Sequence, residues 1–293
     1  MNIKILKFVA ILLFPIILLF YNSCKTGEVE RIIGINLWSV RDAMSADPAG
    51  TLAELGEMGF GFVEAAGYSD GMFYGMQPSE FRNLVEENGM VFLSSHVGRN
   101  LPAPEQWNET LQWWRNCIEA HAQAGVKYIV KPWLGLGGPP TLERLDAFSR
   151  YLNTIGEMAS AKGIRFGFHN HAEEFNLVEG NVIFDYLLKN TNPEKVFFQI
   201  DLFWAFIGNA DPVDYFTRFP GRFPLWHTKD RAELGASGEI DFVRIYEHAE
   251  LAGLQYSIIE HESFTYEPLE SVRISLDYLK NNIYQRLDRI YQR

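Results

Sequence analysis

Side chains of types that can bind metal ions lie at the ends of four apolar segments in the second half of the chain. The segments read GIRFGFHNHAEEF, VFFQID, PLWHTKD and YSIIEHE, and the residues are His169, His171, Glu174, Asp201, His227 and Glu260. If the segments are successive parallel strands of a barrel, their carboxyl ends meet at one edge and these side chains converge. Imidazoles and carboxylates with open coordination positions bind divalent cations. The sequence therefore predicts a divalent-metal site at this edge.

The types of ligand indicate both the metal and the reaction. Two or three oxygen ligands favour Mn²⁺ or another hard octahedral ion, and Mg²⁺, Co²⁺ and Zn²⁺ fit as well. Such an ion can hold two adjacent oxygens of a sugar. It lowers the energy of the enediolate that forms when a proton leaves the carbon next to a carbonyl. A base must move that proton, and the candidates are His171, Glu174 and Lys229.

Other residues near the ends of apolar segments are candidates for binding the substrate. Side chains alternate in direction along a strand, so in RFGFHNH we expect His169 to point to the barrel axis. His96 ends the segment FLSSH, Lys131 ends the fourth predicted strand, and Glu64 ends the second. Trp38 could stack on a sugar ring. The alternatives are a polar layer inside the barrel for His96 and packing at the barrel rim for Trp38.

One unit of a helix, a glycine and a short apolar strand repeats along the chain. The glycines are Gly59, Gly89, Gly125, Gly163 and Gly253, and a glycine just past a helix supplies the left-handed cap conformation. Helix starts are predicted at Asp47-Pro48, Pro78, Thr141, Asp211-Pro212 and Pro268. The strands are predicted at roughly 32–38, 60–65, 90–96, 127–132, 164–170, 196–201, 223–228 and 255–260. Eight such pairs predict the α/β class and a single (β/α)₈ TIM barrel. An open doubly wound sheet is the alternative, but no G-x-G-x-x-G turn follows the first strand.

Composition and charge limit the possible partners. The chain has 293 residues, 47% hydrophobic and 22% charged, with a formal net charge of −11. One large domain has ample material for a core at this length. An acidic surface repels nucleic acid, so we expect no nucleic-acid partner.

Within one predicted helix, we expect Cys117 on the buried face and His121 at the surface.

The N-terminal segment has the pattern of a secretion signal. Lys4 and Lys7 precede an apolar run of about 14 residues, from Phe8 to Tyr21, which is shorter than the roughly 20 residues that span a bilayer. The run leads to Ser23-Cys24, which resembles a bacterial lipobox. We predict a lipoprotein-type signal peptide at 1–23, a tether at 24–31 and the barrel at 32–293. Lipidation of Cys24 would anchor the protein in the bacterial cell envelope, facing the periplasm or the surface; a single anchor helix is the alternative.

The strand ends together resemble one superfamily. HNHAEEF, with Asp201, His227 and Glu260, resembles the xylose isomerase-like barrels, and so does GINLWSVR at 34–41. That superfamily includes sugar phosphate isomerases/epimerases, inosose dehydratases and endonuclease IV-type enzymes. The resemblance covers about residues 31–285 and implies that Asp201, His227 and Glu260 are metal ligands. In many members the fourth ligand is a glutamate on the fifth strand; we assign Glu174 here, with His169 as second choice.

The leading functional hypothesis is a divalent-metal-dependent isomerase or epimerase acting on a small-molecule sugar through an enediolate. Epimerases of the superfamily often pair two glutamates as bases; here a histidine base can substitute, because its pKa lies near working pH. A second hypothesis is a 3-keto-glycoside lyase or hydrolase, in which the same enediolate expels the substituent at C1. Two further alternatives are an endonuclease IV-like phosphodiesterase, which the acidic charge disfavours, and a non-catalytic sugar-binding barrel.

Overall fold

Eight parallel strands form a closed barrel in the computed structural model, which describes residues 32–291. The strands are β1 Ile33–Asn36, β2 Phe62–Ala65, β3 Val91–His96, β4 Tyr128–Lys131, β5 Arg165–His169, β6 Val196–Asp201, β7 Leu225–Thr228 and β8 Tyr256–Ile259. Each strand pairs with its neighbours in sequence, and β1 pairs with both β2 and β8. The predicted (β/α)₈ barrel and its eight strands are therefore confirmed.

Helices follow the strands and surround the barrel. They are α1 Arg41–Ala46, α2 Pro48–Met58, α3 Pro78–Glu87, α4 Trp107–Gln123, α5 Leu142–Ser160, α6 Ile183–Asn190, α7 Leu202–Ile207, α8 Pro212–Arg218, α9 Phe242–Tyr246, α10 Ala249–Ala252, α11 Pro268–Tyr278 and α12 Gln285–Tyr291. Short 3₁₀ turns lie at Leu37–Val40, Pro104–Gln106 and Glu173–Phe175, and a π-helix joins α11 to α12 at Leu279–Tyr284. Two small hairpins pair Tyr68–Ser69 with Met72–Phe73 and Leu177–Val178 with Asn181–Val182.

Local signals fix the helix ends where the sequence predicts them. The Asp47 carboxylate accepts a hydrogen bond from the Gly50 amide, and Pro48 occupies the first turn of α2. α2 ends at Gly59, whose φ of 90° lies in the left-handed region that a side chain disfavours. The other four glycines predicted to end helices also have positive φ, between 74° and 78°. These stops set the direction in which each following strand enters the barrel.

Large apolar side chains fill the lower part of the barrel. Phe62, Leu93, Tyr128, Val130, Phe197, Leu225 and Ile258 form a buried cluster drawn from the strands alone. Gly34 leaves room for one of these rings, because a Cβ there would lie 2.0 Å from Cε2 of Phe62. The next inward position on several strands is polar, namely Glu64, Gln199, His227 and Glu260. The apolar cluster thus supports a polar layer at the carboxyl ends of the strands.

The predictions for the N-terminal segment fall outside the described residues. The signal peptide at 1–23, the tether at 24–31 and the lipidated Cys24 all precede residue 32. Within residues 32–291, none of the helices has the length and apolarity that a bilayer span requires.

His121 is buried, so its predicted surface position is wrong. The ring packs at 4.9 Å from the Tyr68 ring and 4.8 Å from the Phe73 ring, between α4 and the first hairpin. Its Nδ1 lies 2.7 Å from the carbonyl oxygen of Cys117, which is also buried. The hairpin covers this face of α4, and the helical pattern alone does not show that cover. Burial lowers the pKa of His121 to about 4.

Replacing His121 should reduce the acid sensitivity of the fold. Between pH 6.5 and about 4 the unfolded chain binds a proton at this residue that the folded protein excludes. The free energy of unfolding therefore falls as pH decreases through this window, by about 3 kcal/mol from this side chain. We expect His121→Leu to lose less stability than the parent between pH 7.5 and pH 4.5, as measured by urea unfolding. The same offset between the two proteins at both pH values would contradict the assignment.

Candidate metal centre

Four buried side chains meet at the carboxyl ends of neighbouring strands. His169 ends β5, Asp201 ends β6, His227 lies in β7, and Glu260 follows β8. One donor atom from each lies within 4.8 Å of the other three. Nδ1 of His227 is 3.1 Å from Oε2 of Glu260 and 4.0 Å from Oδ2 of Asp201, and Nε2 of His169 is also 4.0 Å from that Oδ2. We call these four residues the donor group.

The donor group fits a divalent cation. Ligand atoms about 2.0–2.2 Å from one ion lie roughly 3.0–4.4 Å from each other, and the printed separations of 3.1 and 4.0 Å fall in this range. Oδ2 of Asp201 is buried and has no hydrogen-bond partner among the described residues. Burial raises the pKa of Asp201, although the charge of Lys229 opposes the rise. A buried carboxylate oxygen without a donor is costly, and a bound cation would compensate for it.

Glu64 lies beneath the donor group at the end of β2 and is fully buried. Its carboxylate interacts with Asn36, Ser94, His96, Gln199 and His227. Burial raises the pKa of Glu64, but the charges of His96 and His227 and the hydrogen bonds outweigh it and bring the pKa to about 2. Glu64 is therefore a permanent anion in the polar layer. The sequence indicated Glu64 only as a candidate for binding the substrate. Its inward direction follows from side-chain alternation, because it lies two residues after the inward Phe62.

The His227 ring lies between two carboxylates. Its Nε2 is 2.6 Å from Oε1 of Glu64, on the side opposite Glu260. Burial lowers the pKa of His227, but Glu260 and Glu64 together raise it to about 10. The two carboxylates thus orient this imidazole so that Nδ1 faces the donor group.

Lys229 brings a positive charge to the same place. Its Nζ is 2.8 Å from Oε1 of Glu262, 3.2 Å from Oε2 of Glu260 and 4.0 Å from Oδ2 of Asp201. Burial lowers the pKa of Lys229, but these carboxylates raise it more, and the net direction is upward. Lys229 is therefore held as an ammonium, which can donate hydrogen bonds.

His171 stands beside the donor group on the loop after β5. Its ring centre is 5.1 Å from that of His169 and 5.6 Å from that of Trp204. Burial lowers the pKa of His171, although Glu260 and Glu262 oppose this. A half-buried neutral imidazole at the mouth of the barrel can accept a proton.

Glu174 lies outside the donor group, and His169 occupies the place predicted for it. The 3₁₀ turn at Glu173–Phe175 folds Glu174 back into the protein, where Oε2 accepts a hydrogen bond of 2.8 Å from the His171 amide. Burial raises the pKa of Glu174 to about 8. The geometry gives Glu174 the role of supporting the loop that carries His171.

Lys131, a candidate for binding the substrate, does not face the barrel interior. Val130 belongs to the apolar cluster inside the barrel, so the next residue of β4 points outward. Its ammonium nitrogen lies 5.2 Å from the ring centre of Phe148 on α5 and 4.4 Å from that of Trp133. Burial lowers the pKa of Lys131 to about 7. The side chain belongs to the layer between strands and helices.

The structure places the other two substrate-binding candidates differently from each other. His96 lies inside the barrel, with Nε2 2.6 Å from Oε1 of Gln199 and its ring stacked on that of His227 at 4.8 Å. His96, His169 and His227 form a second set of donors that could hold a metal ion. Trp38 lies on the 3₁₀ turn after β1, is 45% exposed, and carries Arg41 over its ring. Stacking of Trp38 on a sugar stays a prediction.

Comparison with known proteins places the chain in a family. An inosose dehydratase from Geobacillus kaustophilus is 24% identical over 193 residues, which cover 61% of this chain and 60% of that enzyme, less than two thirds of its length. The structure of a sugar phosphate isomerase/epimerase from Parabacteroides distasonis gives a TM-score of 0.81 at 28% identity, over 86% of this chain and 98% of that one. D-psicose 3-epimerase from Clostridium cellulolyticum gives 0.67 at 16% identity, over 85% and 98%, which shows a shared fold. Residues 52–282 match the xylose isomerase-like TIM barrel family, and the chain belongs to that family.

Proposed function

We propose that the protein is a divalent-metal-dependent sugar isomerase or epimerase. The observation that carries the proposal is the donor group at the carboxyl ends of the barrel strands, in which Oδ2 of Asp201 accepts no hydrogen bond from any described residue. This is the end at which barrel enzymes have their active sites. The sugar phosphate isomerase/epimerase and D-psicose 3-epimerase structures share the fold and support a sugar as substrate.

The residues divide the chemistry between a cation site, a base and an acid. A divalent ion held by the donor group would polarise a carbonyl and the neighbouring hydroxyl. His171 takes the proton from the carbon next to the carbonyl, because burial keeps its imidazole neutral. Lys229, held as an ammonium by Glu260 and Glu262, donates a hydrogen bond to the oxygen that gains negative charge. The product is the enediolate, which is reprotonated at the other carbon or on the other face.

A 3-keto-glycoside lyase is the second candidate, and one observation favours it. Epimerisation needs a base on each face of the sugar, and β5 ends in His169, whereas the resemblance implies a glutamate on this strand in many members. One free imidazole and one ammonium are enough for elimination. His171 removes the proton at C2, the C1–O bond breaks as the C1–C2 double bond forms, and Lys229 protonates the departing oxygen. The similarity to an inosose dehydratase, named for an elimination, points the same way.

We further propose that the mature protein is a lipid-anchored protein of the bacterial cell envelope. The proposal rests on the signal-like segment at 1–23 and on Cys24. Phosphorylated sugars are chiefly cytosolic, so this location favours free, oxidised or glycosidically linked sugars. The location also favours the lyase, since glycosides are the form in which an envelope enzyme meets many sugars.

Products formed from a substrate panel should separate the two activities. The mature protein, loaded with a divalent ion, is incubated with free ketoses and with 3-keto-glycosides, and the products are identified by chromatography. An isomerase or epimerase gives a new ketose or aldose from a free sugar without loss of carbon substituents. Release of the aglycone from a 3-keto-glycoside, with free sugars unchanged, would instead establish the lyase. Failure to convert any member of the panel argues for a sugar-binding barrel.

Replacing the proposed base should abolish turnover without releasing the metal. We expect His171→Gln to lower kcat by about 10²- to 10⁴-fold, the usual contribution of a general base, while metal content stays at the parent level. Lys229→Met should also lower kcat, because the developing negative charge loses its donor. His248→Gln is the matched control, since His248 is a partly exposed histidine between α9 and α10. Equal activity of the His171→Gln variant and the control would rule out His171 as the base.

Lipidation is tested with the two cysteines of the chain. We expect the full-length protein to incorporate a labelled fatty acid when it is expressed in a bacterial host, and Cys24→Ala to lose the label. Cys117→Ala is the control, because Cys117 is buried on α4 and is not accessible to acylation in the folded protein. A label that survives Cys24→Ala would contradict the lipid anchor.

A further inference from the structure

We infer that Glu64 and Gln199 fix the tautomers of His169 and His227. The site then offers two imidazole nitrogens and two carboxylates to a metal ion. This donor set binds a borderline transition-metal ion in preference to Mg²⁺. Borderline here means Co²⁺, Ni²⁺, Fe²⁺ or Zn²⁺. The inference rests on the metal site of the proposed function and adds the class of ion and two positioning residues. Gln199 stands in β6 two residues before Asp201, with its side chain fully buried.

Glu64 fixes the orientation of the Gln199 amide. A carboxylate only accepts hydrogen bonds, and Oε2 of Glu64 accepts one from Nε2 of Gln199 at 2.9 Å. The opposite orientation of the amide would direct its oxygen at the carboxylate, with no hydrogen to share. Oε1 of Gln199 therefore points toward the histidines of β3 and β5.

The orientation of Gln199 determines the tautomer of His169. Oε1 of Gln199 lies 3.1 Å from Nδ1 of His169 and 2.6 Å from Nε2 of His96. An amide oxygen has no hydrogen, so each of these ring nitrogens must carry one and donate it. In neutral His169 the lone pair then lies on Nε2, the nitrogen that belongs to the donor group and is 4.0 Å from Oδ2 of Asp201.

Glu64 acts on His227 directly. Its Oε1 lies 2.6 Å from Nε2 of His227, and this nitrogen must donate for the same reason. Nδ1 is left to face Glu260, Asp201 and His169. One buried anion thus directs both imidazoles, the first through an amide and the second by contact. Partners of this kind, which hold a ligating histidine by its other nitrogen, usually change metal affinity about 10- to 100-fold when they are removed.

The resulting donor set determines which ions bind well. Imidazole nitrogen suits zinc, nickel, iron and copper, whereas carboxylate and water suit magnesium, calcium and manganese. With glutamate in place of His169, the site would have three carboxylates and one imidazole and a stronger preference for hard ions. His169 is therefore the residue whose identity shifts the preference, provided that Gln199 holds its lone pair toward the site.

The test compares metal preference in variants that differ by one side chain. The metal-free mature protein is titrated with Co²⁺ and with Mg²⁺ against a fluorescent chelator, and the ratio of the two dissociation constants is recorded. We expect His169→Glu to lower the preference for Co²⁺ at least about tenfold relative to the parent. His248→Glu is the matched control, because it makes the same change at a partly exposed histidine between α9 and α10, away from the donor group. Its preference should stay within about twofold of the parent value.

A second variant tests the relay itself. Gln199→Leu removes the acceptor for Nδ1 of His169 and should weaken Co²⁺ binding about 10- to 100-fold. Because Mg²⁺ depends less on imidazole, its affinity should fall less, and the preference should move toward that of His169→Glu. A purely structural defect would weaken both ions equally. If this variant does not fold, pulsed EPR of the Cu²⁺-loaded parent and His169→Glu, expected to show two bound imidazoles and one, keeps the donor set testable.

Several results would overturn the inference. They are equal preferences in His169→Glu and His248→Glu, loss of metal from Glu174→Gln, or tighter binding of Mg²⁺ than of Co²⁺ by the parent. The proposed function can fail separately. A protein that binds Co²⁺ with the expected preference but converts no sugar would retain the metal site and lose the isomerase and lyase assignments. A protein that converts sugars, but whose preference for Co²⁺ over Mg²⁺ does not depend on His169, would retain the proposed function and contradict the inferred role of His169.

Discussion

Burial of negative charge is the constraint on which this site depends. Glu64, Asp201 and Glu260 lie close together among buried side chains, where a carboxylate is far less stable than in water unless it is paired. The chain places His227 between two of them and Lys229 against Glu260. One oxygen of Asp201 still has no hydrogen-bond partner among residues 32–291. The described side chains therefore leave part of the negative charge in this layer without a hydrogen-bond donor, and a bound cation would compensate for it.

The barrel could be predicted from the sequence because its signals are local. Glycine stops such as Gly59 end helices through backbone conformation alone, and short apolar runs follow them as buried strands. The convergence of Asp201, His227 and Glu260 also followed from chain order, because consecutive parallel strands carry their last residues to one edge. Side-chain alternation predicted the inward direction of His169 correctly.

The site residues that the sequence did not place correctly depend on contacts between distant segments, or on a difference of one position along a strand. Glu174 appeared close enough in sequence to be a ligand, but a 3₁₀ turn folds it under His171. Lys131 ends β4 one residue past the inward Val130, so it points to the helices. Gln199, two residues before Asp201 in β6, received no role from the sequence, since an amide has no obvious chemistry until its partners are known. Its importance comes from Glu64, which lies 135 residues away in the chain.

The apolar cluster below the site has a consequence for the size and shape of substrates. Aromatic rings and aliphatic side chains fill the barrel below the donor group, and Arg165 lies over the rings of Tyr128 and Phe197 at the amino end. A substrate must therefore approach the donor group from the opening at the carboxyl ends of the strands, and it cannot thread through the barrel. An oligosaccharide would have to present its terminal unit first, as in exo-acting enzymes, and the departing part must clear the opening before another molecule arrives. Residues exposed around that opening, such as Trp38, would meet whatever extends beyond the terminal unit.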